Sequence, residues 1–111
     1  MKIVNRGFIT IAPKQAFWDW ANQFEDDVVF SETDEVEPNV YLITEDFFEI
    51  EPLIEQNFKK IVNYELSMIT ENEEDWPENR TLELFLTWFT LEIGSTVFDL
   101  EKSGLSAEKI D

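Results

Sequence analysis

Residues 81–93 read TLELFLTWFTLEI, and the way this run folds decides the architecture of the whole chain. Leu82, Phe85, Leu86 and Phe89 recur at helical spacing and form an inward stripe. Leu84, Trp88 and Leu91 form an adjoining one. The pattern predicts a helix that is apolar around much of its girth and is interrupted at Gly94. STVFDL (95–100) then reads as a closing strand.

Upstream, GFITIAP (7–13) alternates with the period of a strand and is stopped by Pro13. PKQAFWDWANQF (13–24) follows as a helix whose apolar stripe is Phe17, Trp20, Ala21 and Phe24. Trp18 falls off that stripe, so Trp20 is the expected core ring and Trp18 the flanking one. Val28–Phe30 and Val40–Ile43 are expected to pair as a hairpin across the polar turn SETDEVEPN. Thr44 is the expected N-cap of a long helix, with its regular part running from about Glu51 to Ile69. Ile50, Ile54, Phe58, Ile61, Val62, Leu66 and Ile69 share one face of it, and Pro52 is tolerated only near its start. TENEEDWPENR (70–80) is a polar break in which Asp75 and Glu78 have capping-box spacing.

The order strand, helix, strand, strand, helix pair, strand predicts an α+β domain. The expected topology is a ferredoxin-like β-α-β-β-α(α)-β sandwich, with an antiparallel sheet carrying its helices on one face. One compact domain is expected over residues 1–102, with a loose tail over 103–111. Ile9, Ile11, Val40, Leu42 and Val97 would face the helices. Phe8, Thr10, Tyr41, Ile43, Thr96 and Phe98 would line the open face.

The charge is lopsided, with 25 acidic against 8 basic side chains and a net charge of −17. Seventeen of the carboxylates lie between Glu25 and Asp75, where the basic residues are Lys59 and Lys60. Such a field repels phosphate backbones and anionic membranes, so neither nucleic acid nor a membrane is an expected partner. It favours cations, basic proteins or simply solubility. Cysteine and histidine are absent, which removes disulfides, Cys/His metal sites, histidine bases and Ser-His-Asp triads. The start MKIVNRGFITIAPK is too short and too soon interrupted to read as a secretory signal. No run has the length of a membrane span, so a cytoplasmic protein is expected.

No catalytic, cofactor-binding or metal-ligating residue can be nominated from spacing. ENEED and ETDEVE cluster carboxylates, but neither has the pattern of a calcium loop, and the glycines are too scattered for a phosphate loop. The candidate partner surface is Trp18 as an aromatic anchor, with Phe8, Tyr41 and Phe98 from the open sheet face. Asp26, Asp27, Glu32, Asp34 and Glu35 would form its acidic rim. The expected function is a noncatalytic acidic domain that binds a basic protein, in the manner of an inhibitor or immunity protein. The alternatives are a DNA mimic, with carboxylates standing in for phosphates, and a small cation-dependent hydrolase. The chain is expected to be a monomer, or a homodimer through the open sheet face.

The segments GFITIAPKQAFWDWANQF, NVYLITEDFFEIEPLIEQNFKKI and WPENRTLELFLTWF together resemble a group of short acidic bacterial proteins of unassigned function. The resemblance covers the chain to about Glu101. It implies a bacterial cytoplasmic protein and carries over no catalytic or binding residue.

Overall fold

The computed structural model describes residues 1–24, 29–34 and 36–110. Its strands are β1 (Lys2–Val4), β2 (Gly7–Pro13), β3 (Asn39–Ile43), β4 (Phe89–Gly94) and β5 (Val97–Asp99). Its helices are α1 (Gln15–Ala21), α2 (Ile50–Ser67) and α3 (Leu82–Trp88), with short 3-10 turns at Asn22–Phe24 and Glu73–Asp75. The class is mixed α+β with antiparallel pairing throughout. None of the described helices is long and apolar enough to cross a membrane.

The sheet order is β3-β2-β4, with β1 and β5 forming a separate two-stranded ribbon. This is not the strand order of the ferredoxin-like arrangement, for two reasons. Val29 and Phe30 form no strand, and Val28 lies outside the described residues. The backbone of Phe30 is satisfied instead by one side chain: its N–H donates to Asn22 Oδ1 at 3.0 Å, and its carbonyl accepts from Asn22 Nδ2 at 2.7 Å. A polar side chain has replaced a neighbouring strand.

The second reason lies in residues 81–93, which divide into a helix and a strand. The Thr81 side chain accepts from the Leu84 N–H and caps α3. The helix stops at Trp88 because β2's end closes it: Lys14 N–H donates to the Trp88 carbonyl at 2.8 Å, and Lys14 Nζ to the Leu86 carbonyl at 3.0 Å. A cation on the last carbonyls is the favourable end of the helix dipole. From Phe89 the chain is extended, and Phe89, Leu91 and Ile93 pair with Pro13, Ile11 and Ile9. Directly paired residues share a face, so all of these point to the helices.

The same rule corrects the phase of β3. Tyr41 pairs with Ile9 and Ile43 with Gly7, so these two turn inward. Val40 and Leu42 are exposed on the other face with Phe8 and Thr10. NVYLI is apolar at both phases, and the pairing register, not hydropathy, selects one.

Between the Val4–Val97 and Phe8–Gly94 pairs, residues 5–7 stand opposite 95–96, so one extra residue bulges between the ribbon and the sheet. Lys2 Nζ and the Asp99 carboxylate, 3.4 Å apart, form the only ion pair among the described residues. The Glu101 N–H, then Lys2, hold the Asp99 carboxyl below its usual range.

The core is built from Ile9 and Ile11 of β2, Phe17 and Ala21 of α1, and Ile61, Val62 and Leu66 of α2, with Phe85 and Phe89. Phe17 is the hub of the aromatic packing, with ring centroids 5.2 Å from Phe89, 5.1 Å from Trp18 and 5.7 Å from Trp20. Pro52 sits in the first turn of α2, where no intrahelical N–H is needed. The N-cap of α2 is Glu49, not Thr44, and the Thr44 hydroxyl instead accepts from the Asp46 N–H.

Gly7 is where the sheet meets the β3–α2 connection. A Cβ there would lie 2.8 Å from the Gly94 carbonyl oxygen and 2.9 Å from that of Thr44, both main chain. Gly7→Ala is therefore expected to cost about 1–3 kcal/mol of stability, read from urea unfolding. Gly94→Ala should cost less, because its added methyl meets only the half-exposed Phe8 ring, which can turn aside. Equal costs would contradict this packing.

Candidate functional site

The structure disperses the partner surface expected from the sequence. Trp18 is only 6% exposed and cannot anchor a partner. Asn22 folds the Phe30 segment over it, and the two rings lie 5.2 Å apart. Tyr41 faces the helices. Phe8 is half-buried on the outer face of the sheet, and Phe98 is exposed on the ribbon, opposite Ile3. Glu32 is engaged in local structure: its carboxylate accepts the Gln15 N–H at 3.0 Å and so caps α1, where Lys14 provides no side-chain cap. The Asp34 carboxylate accepts the Ser31 N–H at 2.7 Å. Asp26, Asp27 and Glu35 lie outside the described residues.

The other three tryptophans are also engaged within the domain. Trp88 packs on Trp20, with ring centroids 5.8 Å apart, and on Phe17. Trp76 donates to the Thr70 carbonyl at 2.8 Å, and Trp20 to the Asp75 carbonyl at 3.0 Å. The two indoles thus hold residues 70–76 against the body, and Arg80 covers the outer face of Trp76 at 5.4 Å. These rings are structural.

Two other places carry exposed or unusual chemistry. One is the connection from β3 to α2, Thr44–Glu49. In an extended segment adjacent side chains point to opposite sides. Phe47 is half-buried against the core, so Phe48 is thrown outward and is fully exposed. Glu45, Asp46, Glu49 and Glu51 flank it, all of them exposed. None of the four takes part in an ion pair among the described residues. Beside Phe48 lies an open groove of 440 Å³ lined by Asp46, Phe47, Glu49, Pro52, Leu53 and Gln56. The sequence signal for this place was the FF doublet set between acids, at a strand-to-helix junction.

The other is Glu65 of α2, the only charged side chain among the buried described residues, at 4% exposure. It lies on the apolar stripe of α2 and points at β3. Tyr41 Oη donates to Glu65 Oε2 at 2.5 Å and Asn39 Nδ2 to the same oxygen at 2.6 Å. Burial raises the Glu65 carboxyl above its ordinary 4.5, while the bonds from Tyr41 and Asn39 act the other way. Burial, then the bond to Glu65, push the Tyr41 phenol far above its usual range.

A carboxyl whose folded value lies above its unfolded one holds its proton more tightly in the native state. Its contribution to stability is complete below the unfolded value and is lost as the pH rises through the folded one. Wild type is therefore expected to lose stability relative to Glu65→Gln as the pH is raised from about 4.5 toward 8. The comparison is a urea series on both proteins, and parallel pH profiles would contradict it. Glutamine retains an oxygen for both donors, which isolates the charge.

Among the described residues no group of three or more acids converges as a metal site would require. No protein-family model, curated protein or solved structure matches the chain.

Proposed function

We propose that the chain is a noncatalytic interaction domain that binds a basic protein partner, with the Phe48 segment at the centre of the contact. The observation that carries this is a fully exposed phenylalanine with four exposed carboxylates around it, beside an open groove. Burying a phenylalanine side chain gains roughly 1.5–3 kcal/mol. A partner that covers Phe48 collects that gain while its lysines and arginines meet Glu45, Asp46, Glu49 and Glu51. Interfaces concentrate their energy in such an aromatic centre with a polar rim. The −17 charge adds long-range steering, which raises the association rate and makes it sensitive to salt.

An inhibitor or immunity-type role suits an acidic domain of this size. A place among short acidic bacterial cytoplasmic proteins belongs to the same proposal. The test is selection of Lys/Arg-rich peptides bearing one or two apolar residues from a displayed library, against a charge-neutral library of the same composition otherwise. Binders are expected only from the basic library, with on-rates that fall steeply between about 50 and 500 mM salt as the screening length shrinks. Equal recovery from both libraries would overturn the proposal.

A further inference from the structure

We propose that the cavity beside Glu65 is a binding site for a primary ammonium group on a short alkyl stem. The cavity lies between β2, α1, the end of α2 and the Val36–Asn39 segment, and has a volume of 80 Å³. Ile11, Pro13, Phe17, Trp18 and Ile69 supply apolar and aromatic wall, and Glu65, Glu37 and Asn39 supply the polar positions.

Four observations point to a cation. Glu65 is buried, yet both of its hydrogen bonds end on Oε2, so Oε1 accepts none from the described residues. No lysine or arginine lines the cavity, and the one other charged lining residue is Glu37, a second carboxylate. Glu65 lies in the last turn of α2, two residues before Ser67, where the helix dipole is itself negative. Trp18 and Phe17 present aromatic rings, which attract cations. A buried carboxylate in such company is costly unless it takes up a proton or a cation joins it.

The walls then choose which cation. Calcium and magnesium need six or more oxygens, and this cavity offers two carboxylates among hydrocarbon. A guanidinium needs several acceptors for its five N–H groups, which are lacking here. A few water molecules need ~10–15 Å³ each, so 80 Å³ has room for an ammonium and a short run of methylenes. The free oxygen of Glu65 takes the ammonium and the indole covers the stem. This site does not depend on the Phe48 surface, which lies beyond the other end of α2, about 22 Å from Glu65 to Ile50 at 1.5 Å per residue.

The test follows the indole N–H resonance of Trp18 in protein labelled at tryptophan, while n-butylammonium chloride is added at constant ionic strength near pH 8. The Trp18 signal is expected to move saturably while those of Trp76 and Trp88 stay in place. Glu65→Gln is expected to weaken binding about ten-fold or more, as loss of a charged hydrogen bond does. Val36→Phe, which adds bulk at another lining position and leaves Glu65 unchanged, is expected to block binding and covers the case in which Glu65→Gln fails to fold. Nα-acetyl-lysine methylamide distinguishes the source. Binding as tight as n-butylammonium assigns the site to a lysine side chain, and weaker binding assigns it to a free alkylamine. No saturable movement, movement matched by sodium chloride, or movement that both variants leave intact would each overturn the proposal.

Discussion

Phe89→Ala is expected to remove about 3–5 kcal/mol of folding stability, the usual cost of truncating a buried phenylalanine. Phe89 is 1% exposed and packs against both α1 and α3. Its ring lies 5.2 Å from Phe17 of α1 and 5.7 Å from Phe85 of α3, while its backbone begins β4 opposite Pro13. Truncation therefore opens a cavity at the point where helix becomes strand, and neither neighbour can collapse into it without leaving its own element. A domain of this size has roughly 5–15 kcal/mol in total, so much of the variant should be unfolded at moderate urea. The measurement is the shift in urea midpoint at unchanged slope. A loss of about 0.5 kcal/mol, as at a surface position, would contradict the placement of Phe89.

Phe48→Ala is expected to act in the opposite way, on binding and not on folding. The ring is fully exposed, so removing it should change stability by no more than about 0.5 kcal/mol. As the centre of an interface it should contribute about 2 kcal/mol or more, roughly thirty-fold in Kd. Phe98→Ala is the control, because Phe98 is also exposed but its neighbour Asp99 is already paired with Lys2. Calorimetry with a selected basic peptide, beside urea unfolding of each variant, separates the two effects. Equal losses of affinity for the two variants would mean that exposure alone, not the acidic setting of Phe48, governs binding.

Much of the local structure was legible in the sequence. Strand 7–13 is bounded as its alternation and Pro13 predict, and the long helix, Ile50–Ser67, departs from its expected range only at the ends. What could not be read was decided by distant residues. TLELFLTWFTLEI satisfies the helical period through Phe85 and Phe89 and the strand period through Phe89, Leu91 and Ile93. The choice falls to Lys14, which closes the helix at Trp88 from 74 residues upstream in sequence. Trp18 is off the apolar stripe of its own helix and would be half exposed on α1 alone. The Phe30 segment buries it, held by Asn22 in contacts that no spacing rule announces.

The candidate site was less legible, for a related reason. Among 25 carboxylates the eye goes to clusters such as ENEED, but the informative acid is a solitary one. Glu65 lies three or four residues from Ile61, Val62 and Ile69, on a face that is otherwise apolar, and a charge on such a face was the signal to follow. Hydropathy alone does not place Tyr41, because β3 is apolar at both phases. Its bond to Glu65 is consistent with the inward phase. Phe48 is one of ten phenylalanines, marked in the sequence only by the acids around its doublet. Its outward position depends on Phe47 being taken into the core.

The central claim is that a basic partner is received at the acidic connection between β3 and α2. Its most direct test is amide hydrogen exchange on the chain with and without a saturating selected basic peptide. Protection is expected over Thr44–Gln56 and to be lost in Phe48→Ala. Protection centred instead on the outer sheet face, at Phe8, Val40 and Leu42, would contradict it.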